Sequence, residues 1–219
     1  MVKDRFLVVV PTHRPEQAAD CIETLKQSLT YPSDFHVLDG SRGKMNALNY
    51  AVSSLLNGTH TIYVTVDDDI ILPPNWQHNL AAAFNVVPRL GLCGIDLQGT
   101  PMGEAIAANA MRAPVRAFGE VSFRNTVRFQ NVAGACVAMP TALAKTIGQY
   151  PFADDGRSHF CDEDGWRSHQ VKQRGYIYGY SVSFEGVVTL LEYEETEAYR
   201  MKKQADHENW KSNPSWSNR

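Results

Sequence analysis

IYVTVDDDIILPPNW, residues 62–76, joins a β-branched run, Ile62 to Val66, to three consecutive carboxylates, Asp67, Asp68 and Asp69. A short run of this composition, closed by polar residues, has the signature of a strand. Pro73-Pro74 follows, and proline is tolerated in the first turn of a helix, so a helix is expected from about Pro74 to Phe84. Side chains alternate along a strand, which places Asp67 and Asp69 on one side and Asp68 on the other. Carboxylates converging at a strand end repel each other unless a positive charge lies between them. Hard oxygen ligands in this pattern point to a divalent cation, Mg2+ or Mn2+. A solvated acidic turn is the alternative, disfavoured by the apolar strand before the aspartates and the prolines after them.

Towards the N-terminus, Phe6 to Val10 is an unbroken apolar run, as expected of a strand buried on both faces. Pro11 should end it, leaving Thr12, His13 and Arg14 in a polar loop at the carboxyl end of the strand, where open α/β sheets bind ligands. Ala18, Ile22, Leu25 and Leu29 recur at helical spacing, with Pro15 near the start. Phe35 to Leu38 reads as a short strand broken by Asp39-Gly40-Ser41. Met45, Leu48, Val52 and Leu55 then mark the buried face of a second helix after Gly43. Lys44, at the start of that helix, opposes the helix dipole and calls for a nearby anion such as a diphosphate. Asn49 lies off the buried stripe. Alternating strands and helices predict an α/β chain with a mostly parallel central sheet flanked by helices, and 219 residues suffice for one sizeable domain or two small ones. Thr12, Asp39 and Asp67 should then gather along one sheet edge.

The second half offers strands in RLGLCGIDLQG and VSFRNTVRFQNVAGACVAMP, a Gly134-Ala135 pair suited to a close backbone approach, and a short helix from Pro140 to Ile147 ended by Gly148. A second acidic cluster, Asp162, Glu163 and Asp164, opens a helix reaching about Arg174. Dipole capping accounts for acids there, with Glu163 pairing Arg167 at i,i+4. Residues 192–210 form an acidic, then basic, helix-like segment before a short tail. The 219 residues carry a net charge of −3, which argues neither for nucleic acid nor for an anionic membrane as partner. No apolar run approaches the roughly 20 residues that span a bilayer, and Phe6 to Val10 is too short for a signal peptide core. Cys21, Cys93, Cys136 and Cys161 have no CxxC spacing, so zinc is not expected and buried thiols of a cytoplasmic protein are.

Taken together, VVVPTHRP (8–15), DGSRGKMNALN (39–49), VTVDDDIILPP (64–74), NVAGACVAMP (131–140) and CDEDGWRSHQVKQRGY (161–176) resemble family 2 glycosyltransferases of the GT-A fold, from about residue 5 to 180. The resemblance implies a single Rossmann-like domain, continuous through a nucleotide-sugar half (1–97), an acceptor half (98–191) and a C-terminal helix and tail (192–219). It implies a hexosyl- or pentosyltransferase using a UDP-sugar and Mn2+ or Mg2+, acting on an acceptor hydroxyl, commonly with inversion. Pro11, Thr12 and Arg14, with His13 beside them, would line the nucleobase pocket, and Asp39 would accept a hydrogen bond from the base. Lys44 and Asn49 would face the nucleotide. Asp67 would hold the ribose or the metal and Asp69 the metal, with His207 the only histidine after residue 169 able to serve as a third metal ligand. Gly134 and Ala135 would floor the sugar pocket, and Asp164, second of the Glu163-Asp164 pair, would be the general base with Trp166 near the acceptor. Asp68 could replace Asp67, and Asp162 could replace Asp164. The transmembrane helices and QxxRW-like motif of polysaccharide-building relatives have no counterpart. Three rivals remain: a nucleotidyltransferase, which usually has a Gly-rich loop absent from PTHRPEQAAD; a non-catalytic binding module, which has no use for a distal base; and an enzyme glycosylating hydroxylated nucleic-acid bases.

Overall fold

β1 (Phe6–Thr12) is buried along its whole length. Phe6, Val8 and Val10 enter one apolar core, while Leu7 and Val9 enter a second on the opposite face. A strand with a core on each side needs apolar residues at successive positions, which accounts for the unbroken run. The structure is a computed structural model and describes residues 4–95, 115–125, 131–132, 134–150, 163–182, 189–191 and 201. β2 (Ser33–Asp39) and β3 (Ile62–Val66) flank β1 in parallel. The crossovers carry α1 (Ala19–Gln27) and α2 (Lys44–Tyr50). α1 adds Ile22 and Leu25 to the first core, and α2 adds Met45 and Leu48 to the second, so the two helices cover opposite faces.

The remaining described elements are β4 (Ile70–Ile71), α3 (Trp76–Val86), β5 (Leu90–Ile95), β6 (Val115–Phe118), β7 (Val121–Asn125), β8 (Cys136–Pro140), α4 (Thr141–Ile147), α5 (Glu163–Gln173), β9 (Ile177–Ser181) and β10 (Thr189–Leu190). One eight-stranded sheet runs β2-β1-β3-β8-β5-β9-β7-β6, and β4 pairs with β10 apart from it. The pairings give six of the eight strands one direction, with β7 and β8 reversed. α3 packs Trp76 and Leu80 into the first core; α4 and α5 pack Leu143 and Val171 into the second. This is the α/β sheet with helices on both faces that the alternating pattern predicts. No helix among the described residues is long and apolar enough to cross a membrane, and Cys21, Cys93 and Cys136 are buried free thiols.

Local departures from the sequence pattern have physical causes. β1 continues through Pro11 to Thr12 because β2 pairs with it as far as Thr12↔Asp39, whereas the ladder to β3 stops at Val9↔Thr65. A residue without an N–H is tolerated where one side of the strand is already unpaired. α3 begins at Trp76, not Pro74, since Asn75 before it is left-handed (φ 60°). Residues 51–55 continue α2 as a wider π turn, with the Leu56 N–H bonding to Ala51 O at 3.1 Å. The wider turn rotates the buried stripe: Ala51 becomes fully buried, while Val52 and Leu55 only edge the core.

Gly91 lies at an irregularity in the β5–β9 register. A Cβ there would stand 2.6 Å from Tyr176 Cβ, 2.8 Å from Val171 Cγ1 and 2.9 Å from Leu143 Cδ2. Gly91→Ala is therefore expected to destabilise the fold by about 1–3 kcal/mol through overpacking. A lower urea midpoint at unchanged slope is the readout.

Candidate active site

The carboxyl ends of β1, β2 and β3 lie side by side, and Thr12 is level with Asp39. Gly40 N–H donates to Thr12 O at 2.7 Å, closing that corner. The Thr12 hydroxyl donates to Asp68 Oδ2 and accepts the Arg14 N–H at 3.1 Å. The Arg14 guanidinium reaches Asp68 Oδ1 and Asp69 Oδ2, both at 3.2 Å. Asp39 stands exposed at the rim, where the Ser41 N–H donates to its Oδ1 and holds its carboxyl below the usual range. Pro11 is buried in the strand, and His13 is exposed.

β3 ends at Val66, so Asp67 to Asp69 occupy a turn and the expected two-sided alternation does not apply. Arg14 gathers Asp68 and Asp69, and Asp67 turns to Lys44 instead (Nζ–Oδ1 2.7 Å). The turn is tied at both ends: Asp67 N–H donates to Ala135 O at 2.8 Å, and Leu191 N–H to Asp69 O at 2.6 Å. Desolvation raises the carboxyl of Asp69, and the charges of Asp67 and Asp68 raise it further. Asp67 is raised by desolvation too, despite the opposing pull of Lys44.

The anions that Lys44 calls for are supplied by the protein. Its ammonium also lies 2.6 Å from Glu163 Oε1, so one lysine bridges two acidic clusters that lie far apart in sequence. Glu163 thus takes Lys44 as its ion partner, not Arg167 as the i,i+4 spacing suggests. Burial would raise the Glu163 carboxyl, but Lys44 outweighs it and holds the group below its usual value. Among the described residues, Asp164 forms no ion pair. Burial, and then the neighbouring Glu163 charge, push its carboxyl up to about 7. Its Oδ2 accepts the Gly134 N–H at 2.8 Å, while its Oδ1 is buried without a hydrogen bond. The close approach expected at Gly134 is therefore to Asp164: a Cβ on Gly134 would lie 2.5 Å from Oδ1. Ala135 is buried beside it.

Asn49 has a task not evident from its position off the buried stripe. Its side chain accepts the Tyr150 N–H at 2.6 Å and donates to Tyr150 O at 3.0 Å, clamping that backbone. The Tyr150 and Trp166 rings pack 4.8 Å apart. Tyr150 and Arg167 escaped the sequence reading; the only signal for Arg167 was its helical spacing from Glu163, which pointed to a different partner. Asp162 and His207 lie outside the described residues.

No family model matches the chain, and no curated protein sequence matches it. Among solved structures, the mannosyltransferase PcManGT from Pyrobaculum calidifontis, in complex with GDP-Man and Mn2+, superposes with a TM-score of 0.58 at 18% identity, over 91% of this chain and 59% of that one. The chain has a GT-A-like fold. It spans 59% of the mannosyltransferase's length. Weaker superpositions involve the inositol-1-phosphate CTP transferase of T. maritima (TM-score 0.38, 11% identity, 92% and 76% of the two chains) and 4-diphosphocytidyl-2C-methyl-D-erythritol synthase from Anaerococcus prevotii (0.43, 6%, 94% and 99%).

Within this GT-A-like frame, the acid clusters meet at the carboxyl edge of the sheet. Asp67, Asp68, Asp69, Glu163 and Asp164 face only Lys44 and Arg14 as ion partners among the described residues. Burial raises the Asp67 and Asp69 carboxyls, and the neighbouring acidic charges raise them further. Hard oxygen donors with surplus charge fit a divalent cation. Among the described residues, however, no three metal-ligating side chains converge.

Proposed function

We propose that this chain is a metal-dependent glycosyltransferase that moves a sugar from a nucleoside-diphosphate sugar to an acceptor hydroxyl, with Asp164 as general base. One observation carries the reading: a buried carboxylate oxygen with no hydrogen-bond partner among the described residues, Asp164 Oδ1, stands in the acid cluster that Lys44 joins to the Asp67–Asp69 turn.

The residues divide the chemistry between them. Thr12 and Arg14 brace the aspartate turn, and Asp39, at the exposed rim, is placed to meet a base. Asp67 and Asp69 would hold Mn2+ or Mg2+, which neutralises the charge developing on a leaving diphosphate. Asp164 Oδ1 accepts the proton of the acceptor hydroxyl. The freed oxygen forms its bond to the anomeric carbon as the bond from that carbon to the diphosphate oxygen breaks, and the electron pair leaves with the diphosphate. Direct displacement of this kind inverts the anomeric centre. The Gly134 N–H holds Oδ2, so Oδ1 is the oxygen left for the acceptor. A pure binding module has no need of an acid with a carboxyl raised to about 7 in this position.

The base of the nucleotide is assigned to uracil on the family resemblance, with guanine the competitor because the mannosyltransferase structure contains GDP-Man. Titration calorimetry of UDP and GDP, with and without Mn2+, tests the donor half. Metal-dependent binding of one nucleotide is expected in the wild type and is lost in Asp69→Ala. Mn2+ alone should bind weakly, because no three metal-ligating side chains converge among the described residues. If neither nucleotide binds in the presence of metal, the transferase reading fails.

A further inference from the structure

Arg167 is 3% exposed and, among the described residues, forms no ion pair. Its Nε donates to the Tyr150 hydroxyl at 2.6 Å, its Nη2 donates to the same oxygen, and its Nη1 donates to Thr65 Oγ1 at 3.0 Å. The guanidinium carbon lies 5.4 Å from the Tyr150 ring centre. Neutral hydroxyls take one N–H from each guanidinium nitrogen but do not neutralise the charge. A buried cation held this way is costly unless an anion nearby uses its field.

The anions are on its own helix. Glu163 and Asp164 precede Arg167 by four and three residues, the spacings that bring helical side chains together. Glu163 is already taken by Lys44. Asp164 faces Glu163 beside it, Lys44 from α2, Asp67 from the end of β3, the Gly134 N–H ahead of β8, and Arg167 one turn on. Of the two cations in that set, Lys44 is committed to Asp67 and Glu163. Lys44 opposes protonation of Asp164 more strongly than Arg167 does but is shared among three acids, and Arg167, one turn on, adds a second positive charge that no other ion pair among the described residues takes up. Its contacts also fix geometry. Thr65 lies two residues before Asp67, so the guanidinium ties the helix of the second acid cluster to the strand that ends in the first. Tyr150 is tied in turn to α2 by the Asn49 clamp.

We propose that Arg167 is a positioning residue, a buried cation that fixes α5 against β3 and supplies the positive charge that keeps Asp164 available as a carboxylate. The role of Asp164 as base rests on the function proposed above; the electrostatic claim does not. Glu163 and Asp67 push Asp164 towards the neutral form, and Lys44 and Arg167 oppose them.

The test compares Arg167→Gln, which removes the charge and keeps a polar side chain, with Arg167→Lys, which keeps the charge and loses the fork. Carboxyl 13C NMR on metal-free, full-length protein follows the Asp164 titration directly, with Asp164→Asn identifying the resonance. In Arg167→Gln the midpoint is expected to rise by about one pH unit, the effect of losing a nearby opposite charge; in Arg167→Lys it stays close to wild type. A folded Arg167→Gln with an unmoved midpoint overturns the proposal. If Arg167→Gln does not fold, the lysine variant decides, and a rise of about one unit despite the retained charge overturns the proposal. Under turnover, Arg167→Gln should keep its nucleotide affinity while kcat at pH 7 falls about tenfold and recovers at high pH. A merely structural role would weaken nucleotide binding and turnover together and leave the pH profile in place. Failure of UDP and GDP to bind would sink the transferase reading and leave the NMR arm to decide Arg167.

Discussion

Asp164→Asn is expected to retain metal-dependent nucleotide binding and to lose about 10²–10⁴-fold in transfer rate, the usual contribution of a positioned general base. The substitution is close to isosteric. Its amide oxygen can still accept the Gly134 N–H, so the local fold is kept. What disappears is the oxygen proposed to receive the proton. In the wild type the base works only when ionised, and its carboxyl is raised to about 7, so kcat should climb as pH rises through 7 and level off above it. Stability should run the other way. A carboxyl raised in the folded state binds more protons folded than unfolded between the unfolded carboxylate range and pH 7, so stability falls as pH rises across that window. Asp164→Asn escapes this loss and should be more stable than wild type at pH 8. Parallel pH series of transfer kinetics and urea unfolding check both signs; an asparagine variant that turns over at the wild-type rate would remove Asp164 from catalysis.

Lys44→Ala should carry the largest stability cost of any single change at the site. It strips the shared cation from Asp67 and Glu163, whose side chains are 32% and 13% exposed. Leaving one member of a buried ion pair uncompensated costs 3–5 kcal/mol, and because Asp67 keeps partial solvent access about 3 kcal/mol is expected here. The deficit should depend on pH with a definite sign. In the wild type Glu163 is held below its usual value, so its stabilisation is present at neutral pH and lost as pH falls through the folded value. Without Lys44 the same buried carboxyl prefers its proton. The gap between variant and wild type should therefore narrow on acidification from pH 7 to about pH 5, where carboxyls begin to protonate. Urea midpoints at several pH values, in the absence of metal, measure it.

Which parts of this arrangement were legible in the sequence follows from the range of the forces involved. The β1–β3 strands, the helices between them and the three strand-end residues Thr12, Asp39 and Asp67 follow from local patterning, and the register aligns Thr12 with Asp39 as alternation of strands and helices requires. The Asp67–Asp69 turn was visible as chemistry but not as geometry, because strand alternation has no meaning one residue past Val66. The partners of the charges were the least legible. Lys44 announced a missing anion through its place on the helix dipole, yet nothing local distinguishes a ligand phosphate from Glu163, more than a hundred residues away. Arg167 was read against the acid four residues before it because spacing on a helix is all that a sequence displays. Its actual partners, Tyr150 and Thr65, are brought in by the sheet.

The reversed strand β8 sits between β3 and β5 and bonds to both. During synthesis, the first ninety-five residues emerge with β3 and β5 complete but without the piece that joins them. Both would present bare hydrogen-bonding edges until residues 136–140 leave the ribosome. The sheet is keyed by a late insertion, so residues 1–95 lack the strand that joins β3 to β5. A fragment ending at residue 97 is expected to aggregate, and supplying the remainder in trans is expected to rescue it only when added before the edges find each other.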